Sequence, residues 1–249
     1  MVEYPYIHTI LGSLDLDVSD SAISISEQGY NTRVFLIDHE ENPVVIKVIK
    51  SSAEGVLKEL RVLRFLKQHL PSIPIPECVK YDDSQQLVPF SYVVLSRIPG
   101  NTLREKIDDV DDVCGLFRSL GRLKGLLNTI SGDSFGQLDD SLSCTGSYSS
   151  WSSYLGEYHR QNIDRMRRHG MSEDFISVVD DTWNRNKGLT DRDVGPCLCH
   201  GDTSLSNIMV SDGLVSGIID FEYAHWGCGI HDLFSSVKSF KVFSAYAEE

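Results

Sequence analysis

Three side chains late in this sequence have the types and spacing for work on phosphate. Asp202 lies in the run Cys199-His200-Gly201-Asp202, Asn207 follows five positions later, and Asp220 ends the apolar segment Leu214 to Ile219. Phosphoryl transfer needs a carboxylate to receive the proton of the attacking hydroxyl. It also needs an amide oxygen and a second carboxylate to hold the metal that bridges the nucleotide phosphates. Asp202, Asn207 and Asp220 stand in the order those tasks require. The plain alternative is a loop between two strands in which Asp and Asn only cap. Apolar segments, Ile208-Met209-Val210 and Leu214 to Ile219, flank the array in the way a motif of this kind requires.

His200-Gly201-Asp202 with Asn207 has the spacing of the kinase catalytic loop, with Gly201 where protein kinases place Arg. Together with Ile219-Asp220-Phe221-Glu222, the run resembles the aminoglycoside phosphotransferase (APH) family of small-molecule kinases, a branch of the protein-kinase-like fold. The resemblance spans nearly the whole chain, but its specific part is residues 197 to 232. It implies Asp202 as catalytic base, Asn207 and Asp220 as magnesium ligands, and ATP or GTP as phosphoryl donor. It implies a small hydroxyl-bearing acceptor, with aminoglycosides, fructosamine, choline and homoserine among those served by related enzymes. The implied fold is α+β and two-lobed: residues 1–96 as a nucleotide-binding N-lobe, and 97–249 as a mostly helical catalytic and acceptor-binding C-lobe.

The elements that must position these groups can be read in order. Ala22 to Ile25 and Val34 to Ile37 read as strands around a turn containing Gly29 and Asn31. Such a hairpin tip can offer backbone N–H groups to phosphate, though a plain hairpin explains the pattern as well. Val44 to Ile49 is a third strand with Lys47 in its middle. A Lys there is costly to bury without a compensating carboxylate and phosphate; the alternative is a solvent-facing Lys. From Ser51 or Ser52, a helix runs to about Leu70 with Val56, Leu60, Leu63 and Leu66 at helical spacing. Glu59 stands beside this stripe, where it could face Lys47, and Glu54 more than one turn earlier; the resemblance favours Glu59 as the partner.

Pro71, Pro74 and Pro76 exclude a helix over that stretch, because each removes a donor and restricts the residue before it. Cys78 to Tyr81 and Phe90 to Leu95 complete a five-stranded antiparallel sheet carrying one helix. Ser96 to Gly100 then marks the change to helical sequence, and the resemblance implies that the backbone of Ser96 and Ile98 meets the adenine edge.

In the second half, Leu116, Phe117, Leu120, Leu123, Leu127 and Ile130 make the apolar stripe of a core helix. The family often has Leu-His near its end; Leu127-Asn128 stands here. Residues 131–150 read as a long polar loop that could border the acceptor site. Helices follow near Trp151 to His169 and Ser172 to Asn186, the second with Phe175, Ile176, Val179 and Trp183 inward. Glu157, Asp164, Glu173 and Asp174 face either a cationic acceptor or water. Glu222 either assists the metal or holds the loop, and Asp232 reads as a brace at a helix start.

Bulk properties bound the rest. A net charge of −13 on 249 residues disfavours nucleic acid and leaves room for a cationic substrate. Six cysteines without a repeating spacing argue against a disulfide framework, and Cys197-Leu198-Cys199-His200 is spaced poorly for zinc. No apolar run reaches membrane-spanning length, and the N-terminus lacks a signal-peptide layout, so a cytoplasmic protein is expected. Related enzymes continue through further helices, which makes this a short member or a piece. A catalytically silent nucleotide-binding scaffold is the competing reading.

Overall fold

The structure is a computed structural model, and it describes residues 4–26, 31–139, 141–191 and 194–237. The elements run α1 (Tyr4–Gly12), β1 (Ile23–Ser26), β2 (Thr32–Ile37), β3 (Val44–Ile49) and α2 (Glu54–His69). Next come β4 (Cys78–Asp82), β5 (Tyr92–Ser96), β6 (Asn101–Thr102), α3 (Leu103–Lys106) and α4 (Val113–Asn128). The hairpin strands β7 (Phe135–Leu138) and β8 (Cys144–Tyr148) precede α5 (Trp151–Arg168), α6 (Glu173–Asn186) and β9 (Cys197–Cys199). The series closes with β10 (Ile208–Ser211), β11 (Leu214–Ile218), β12 (His225–Gly227) and α7 (Gly229–Val237). All strand pairings among the described residues are antiparallel, so the fold is α+β.

The chain divides into two compact units. The first holds residues 1–123 and 203–223, the second 124–202 and 224–249. Residues 203–223 join the first unit because β10 pairs with both β11 and β6, giving the three-stranded order β11-β10-β6. Asn207 and Asp220 therefore fall in the first unit and Asp202 in the second.

In the first unit the large sheet has the order β1-β2-β3-β5-β4. Strand β5, interior to the sheet between β3 and β4, is buried along Tyr92 to Leu95, as a strand covered on both faces must be. Strand β3 alternates: Val44, Ile46 and Val48 are buried in one core with Ile7, Ile10 and Leu11 of α1. The period of two therefore turns Lys47 to the opposite face. Helix α2 buries Val56, Leu60, Leu63 and Leu66 at helical spacing, with Glu59 on the same buried side. Ser52 Oγ accepts the Glu54 N–H at 3.2 Å just ahead of the first turn.

The second unit is built on a four-stranded sheet, β8-β7-β12-β9. Phe135, Trp151, Tyr154 and Cys228 form a core against it. The stretch 131–150, expected as one long surface loop, contains the β7–β8 hairpin, with Gly136 at φ +149° where a side chain would meet the Thr145 carbonyl. Helix α6 buries Ile176, while Phe175 is 48% exposed, contrary to the expectation that it turns inward. The α5–α6 packing is instead carried by Ile176 and by Trp183 stacked on His159 at 5.0 Å. Among the described residues no helix is long and apolar enough to cross a membrane.

Candidate active site

The first unit gathers one cation and two carboxylates. Lys47 Nζ donates to Glu59 Oε2 at 2.7 Å and Oε1 at 3.0 Å, and to Asp220 Oδ1 at 3.2 Å. Glu59 is 2% exposed, Lys47 13% and Asp220 37%, so the pair is buried at its Glu59 end and opens to solvent at Asp220. Burial works against the Lys47 charge, but Glu59 and then Asp220 outweigh it and hold its pKa above the ordinary lysine value. Burial also pushes the Glu59 carboxyl up, against the attraction of Lys47. Glu59, not Glu54, is the partner of Lys47: Glu54 lies in the first turn of α2 and Glu59 a full turn further along.

Asp220 reaches this place from the hairpin β10–β11. Ile208 pairs with Ile218, and the Ile219 N–H donates to the Asn207 carbonyl at 3.0 Å. Asn207 and Asp220 are thereby brought to the same end of the hairpin. Asn207 is 7% exposed, and its N–H donates to Ser204 O at 2.9 Å. Asp220 has φ +70°, a left-handed backbone that costs a non-glycine residue about 1–3 kcal/mol and is met most often at functional sites. One carboxylate and one amide oxygen suit a hard cation such as Mg²⁺, which keeps several waters and takes phosphate oxygens for the remainder of its shell. Among the described residues no group of three or more His, Cys, Asp and Glu side chains is arranged to hold a metal.

Glu222 sits against the start of α2: a Cβ on Gly55 would lie 2.7 Å from its Oε2. A carboxylate at that helix end is favoured by the helix dipole, which gives Glu222 a structural task. Ser96 ends β5, donating its N–H to Glu77 O and accepting the Glu77 N–H on its hydroxyl, both at 2.8 Å. Ile98 follows in the connector, half-buried, with its Cγ2 beside Gly217. Gly29 lies outside the described residues.

The second unit holds Asp202, half-buried, with its N–H donating to His200 Nδ1 at 3.2 Å. His200 is fully buried, and Gly201 takes φ +85°, a conformation that favours glycine. The carboxylate of Asp232 accepts from His200 N–H at 3.1 Å and from Gly201 N–H at 3.0 Å, so it braces the loop as expected. Asn128, standing where Leu-His is usual, donates to Leu198 O at 3.1 Å. Its amide therefore still ties α4 to β9.

Sequence reading missed Lys124, which is fully buried and ion-paired to Asp232 at 2.6 Å. The signal was present: Lys124 lies four residues after Leu120 and three before Leu127, inside the apolar stripe. Three of the four acids of α5 and α6 weighed for a cationic acceptor have other partners. Glu157 binds Arg160 and Gln161, which hold its exposed carboxyl down at about 2, Asp164 binds Arg160, and Glu173 binds Arg167.

No curated protein matches the sequence. Among solved structures, the chain is similar to aminoglycoside phosphotransferase APH(4)-Ia, 17% identical with a TM-score of 0.69, over 92% of this chain and 75% of that one. It is also similar to ADP-bound APH(2'')-Ib, 18% identical with a TM-score of 0.64, over 93% and 75%. A third is the GDP and kanamycin complex of APH(2'')-IIia, 15% identical with a TM-score of 0.65, over 98% and 81%. At these identities the likeness carries the kinase-like fold. The model of the phosphotransferase enzyme family, APH, matches residues 23–247, and the chain therefore belongs to that family.

Proposed function

We propose that the protein is an ATP- or GTP-dependent kinase that transfers the γ-phosphoryl group to a hydroxyl of a small acceptor. One observation carries the reading: an ammonium held at 2.7 and 3.2 Å by two carboxylates, one buried on α2 and one partly open at the end of β11. A structural ion pair needs one carboxylate. The second, partly exposed and on a strained backbone, is suited to a metal–phosphate ligand.

In this reading Lys47, oriented by Glu59, faces α- and β-phosphate oxygens, and Asn207 and Asp220 hold magnesium. The metal, when bound, neutralises charge on the phosphates. Asp202 receives the proton of the acceptor hydroxyl as its oxygen bonds to the γ-phosphorus. The bond from that phosphorus to the β–γ bridging oxygen breaks, and the nucleoside diphosphate leaves with the electron pair. Little covalent work falls to the protein, so Lys47 and the metal ligands supply most of the charge stabilisation. Residues 1–96 act as the nucleotide lobe, with the backbone at Ser96 and Ile98 binding the base and Gly29 among the nucleotide-binding residues; residues 97–249 serve catalysis and the acceptor. The net charge of −13 favours a cationic acceptor through its summed field. The six cysteines, none in a disulfide, fit a reducing cytoplasm.

Thermal shift with magnesium and ATP or GTP tests the nucleotide half of the proposal. At one hundred times the dissociation constant, the nucleotide should stabilise the protein by about 2.7 kcal/mol. No shift with either nucleotide, in magnesium, would count against it.

A further inference from the structure

We propose that Lys124 is a positioning residue for the loop that carries Asp202, acting through the carboxylate of Asp232. The inference rests on Asp202 having the role given above. It begins from an anomaly of burial. Lys124 and Asp232 are 0% and 1% exposed, although these are residue types almost never fully buried unless paired.

Lys124 Nζ donates to Asp232 Oδ2 at 2.6 Å and to the Asp232 carbonyl at 3.0 Å, so both ends of that residue are gripped. The two carboxylate oxygens are divided between successive amides: Oδ2 takes His200 N–H and Oδ1 takes Gly201 N–H. The next amide, Asp202 N–H, is taken by His200 Nδ1. Three consecutive N–H groups therefore have fixed acceptors, and the backbone that presents Asp202 is set by them.

A buried ion pair is weak evidence of stabilisation, since apolar residues of equal volume often serve as well or better. Apolar residues could not accept two amide protons at defined positions. A carboxylate can, and in a buried place it requires a counter-charge to remain ionised. Burial opposes the charge on Asp232, yet Lys124 and then His200 hold its carboxyl below the usual range. Lys124 is itself placed by the apolar stripe of α4, between the buried Leu120, Leu123 and Leu127. Rigidity thus passes from a packed helix, through one ammonium and one carboxylate, to the catalytic loop.

The test compares wild type, Lys124→Met and the doubly neutral Lys124→Met/Asp232→Asn. In Lys124→Met, kcat per folded molecule should fall about 10²-fold, as for a displaced reacting group, with KM for the magnesium nucleotide unchanged. Amide hydrogen exchange at His200 and Gly201 should accelerate relative to the preceding strand β9. The double variant removes the uncompensated charge and should recover melting temperature. Its kcat should stay low, because Asn offers one acceptor oxygen where the carboxylate offers two. Wild-type kcat in either variant, with protected amides at His200 and Gly201, would overturn the proposal. If wild type transfers no phosphate to any acceptor, the proposed function fails, while the exchange measurement still decides whether Lys124 anchors the loop.

Discussion

The Lys47 ammonium is held by both oxygens of Glu59, at 2.7 and 3.0 Å, across the space between β3 and α2. The contact ties a strand residue to a helix residue 12 positions later and fixes where the positive charge points. Glu59→Ala leaves Lys47 only Asp220 at 3.2 Å. The expected loss of stability is about 3 kcal/mol, at the lower edge for a broken buried pair because one partner remains. Urea unfolding of the variant checks this, and Glu59→Gln, which keeps one acceptor oxygen, should lose less.

Asp220→Ala should remove magnesium-dependent nucleotide binding while the fold persists. Asp220 is 37% exposed, so truncating it to Ala opens no core cavity, while the left-handed backbone keeps its strain because Ala retains the Cβ. Calorimetric titration with ATP in magnesium, set beside the melting temperature, separates the two effects. Undiminished affinity would remove Asp220 from the metal site.

Asp232 gives a dependence on acidity. Its folded pKa lies below the ordinary carboxylate value of about 3.9, so its contribution to stability is complete above that value and is lost as pH falls through the folded one. Asp232→Asn should be less stable than wild type at pH 7, and the gap should narrow on acidification below about pH 4. Parallel melting curves from pH 7 to pH 2 would contradict this.

Gly217→Ala tests the packing of β11 beneath the connector. An added Cβ would lie 2.6 Å from the Pro74 carbonyl and 2.8 Å from Ile98 Cγ2, and the carbonyl cannot yield as a flexible side-chain end would. Overpacking of this kind should cost about 1–3 kcal/mol, read from the melting temperature.

How much of this was legible in the sequence depended on the kind of pattern. Strand β3 could be read because a β-branched run interrupted by one Lys has few explanations, and α2 because Val56, Leu60, Leu63 and Leu66 keep one face. Ser172 announced α6, and its hydroxyl does accept the Phe175 N–H. Hairpin β7–β8 stayed hidden because its short strands interleave Gly, Gln, Thr and Ser with Phe135, Leu138 and Tyr148, too few apolar residues to set a period of two. Phe175 was misassigned because periodicity finds an apolar stripe without saying how much of it a neighbouring helix will cover. The phosphate-directed array was visible as spacing. Glu59 was favoured over Glu54 by the resemblance and makes the 2.7 Å contact with Lys47, while the part of Lys124 needed the third dimension.

The most direct measurement follows label from the γ-phosphate of ATP or GTP, in magnesium, to a panel of small hydroxyl acceptors, using wild type and Asp202→Ala. The account predicts transfer by wild type to at least one acceptor. It predicts turnover lower by about 10²–10⁴-fold in the variant, as for loss of a positioned base, with nucleotide affinity retained. Equal turnover by the two proteins on that acceptor would contradict it.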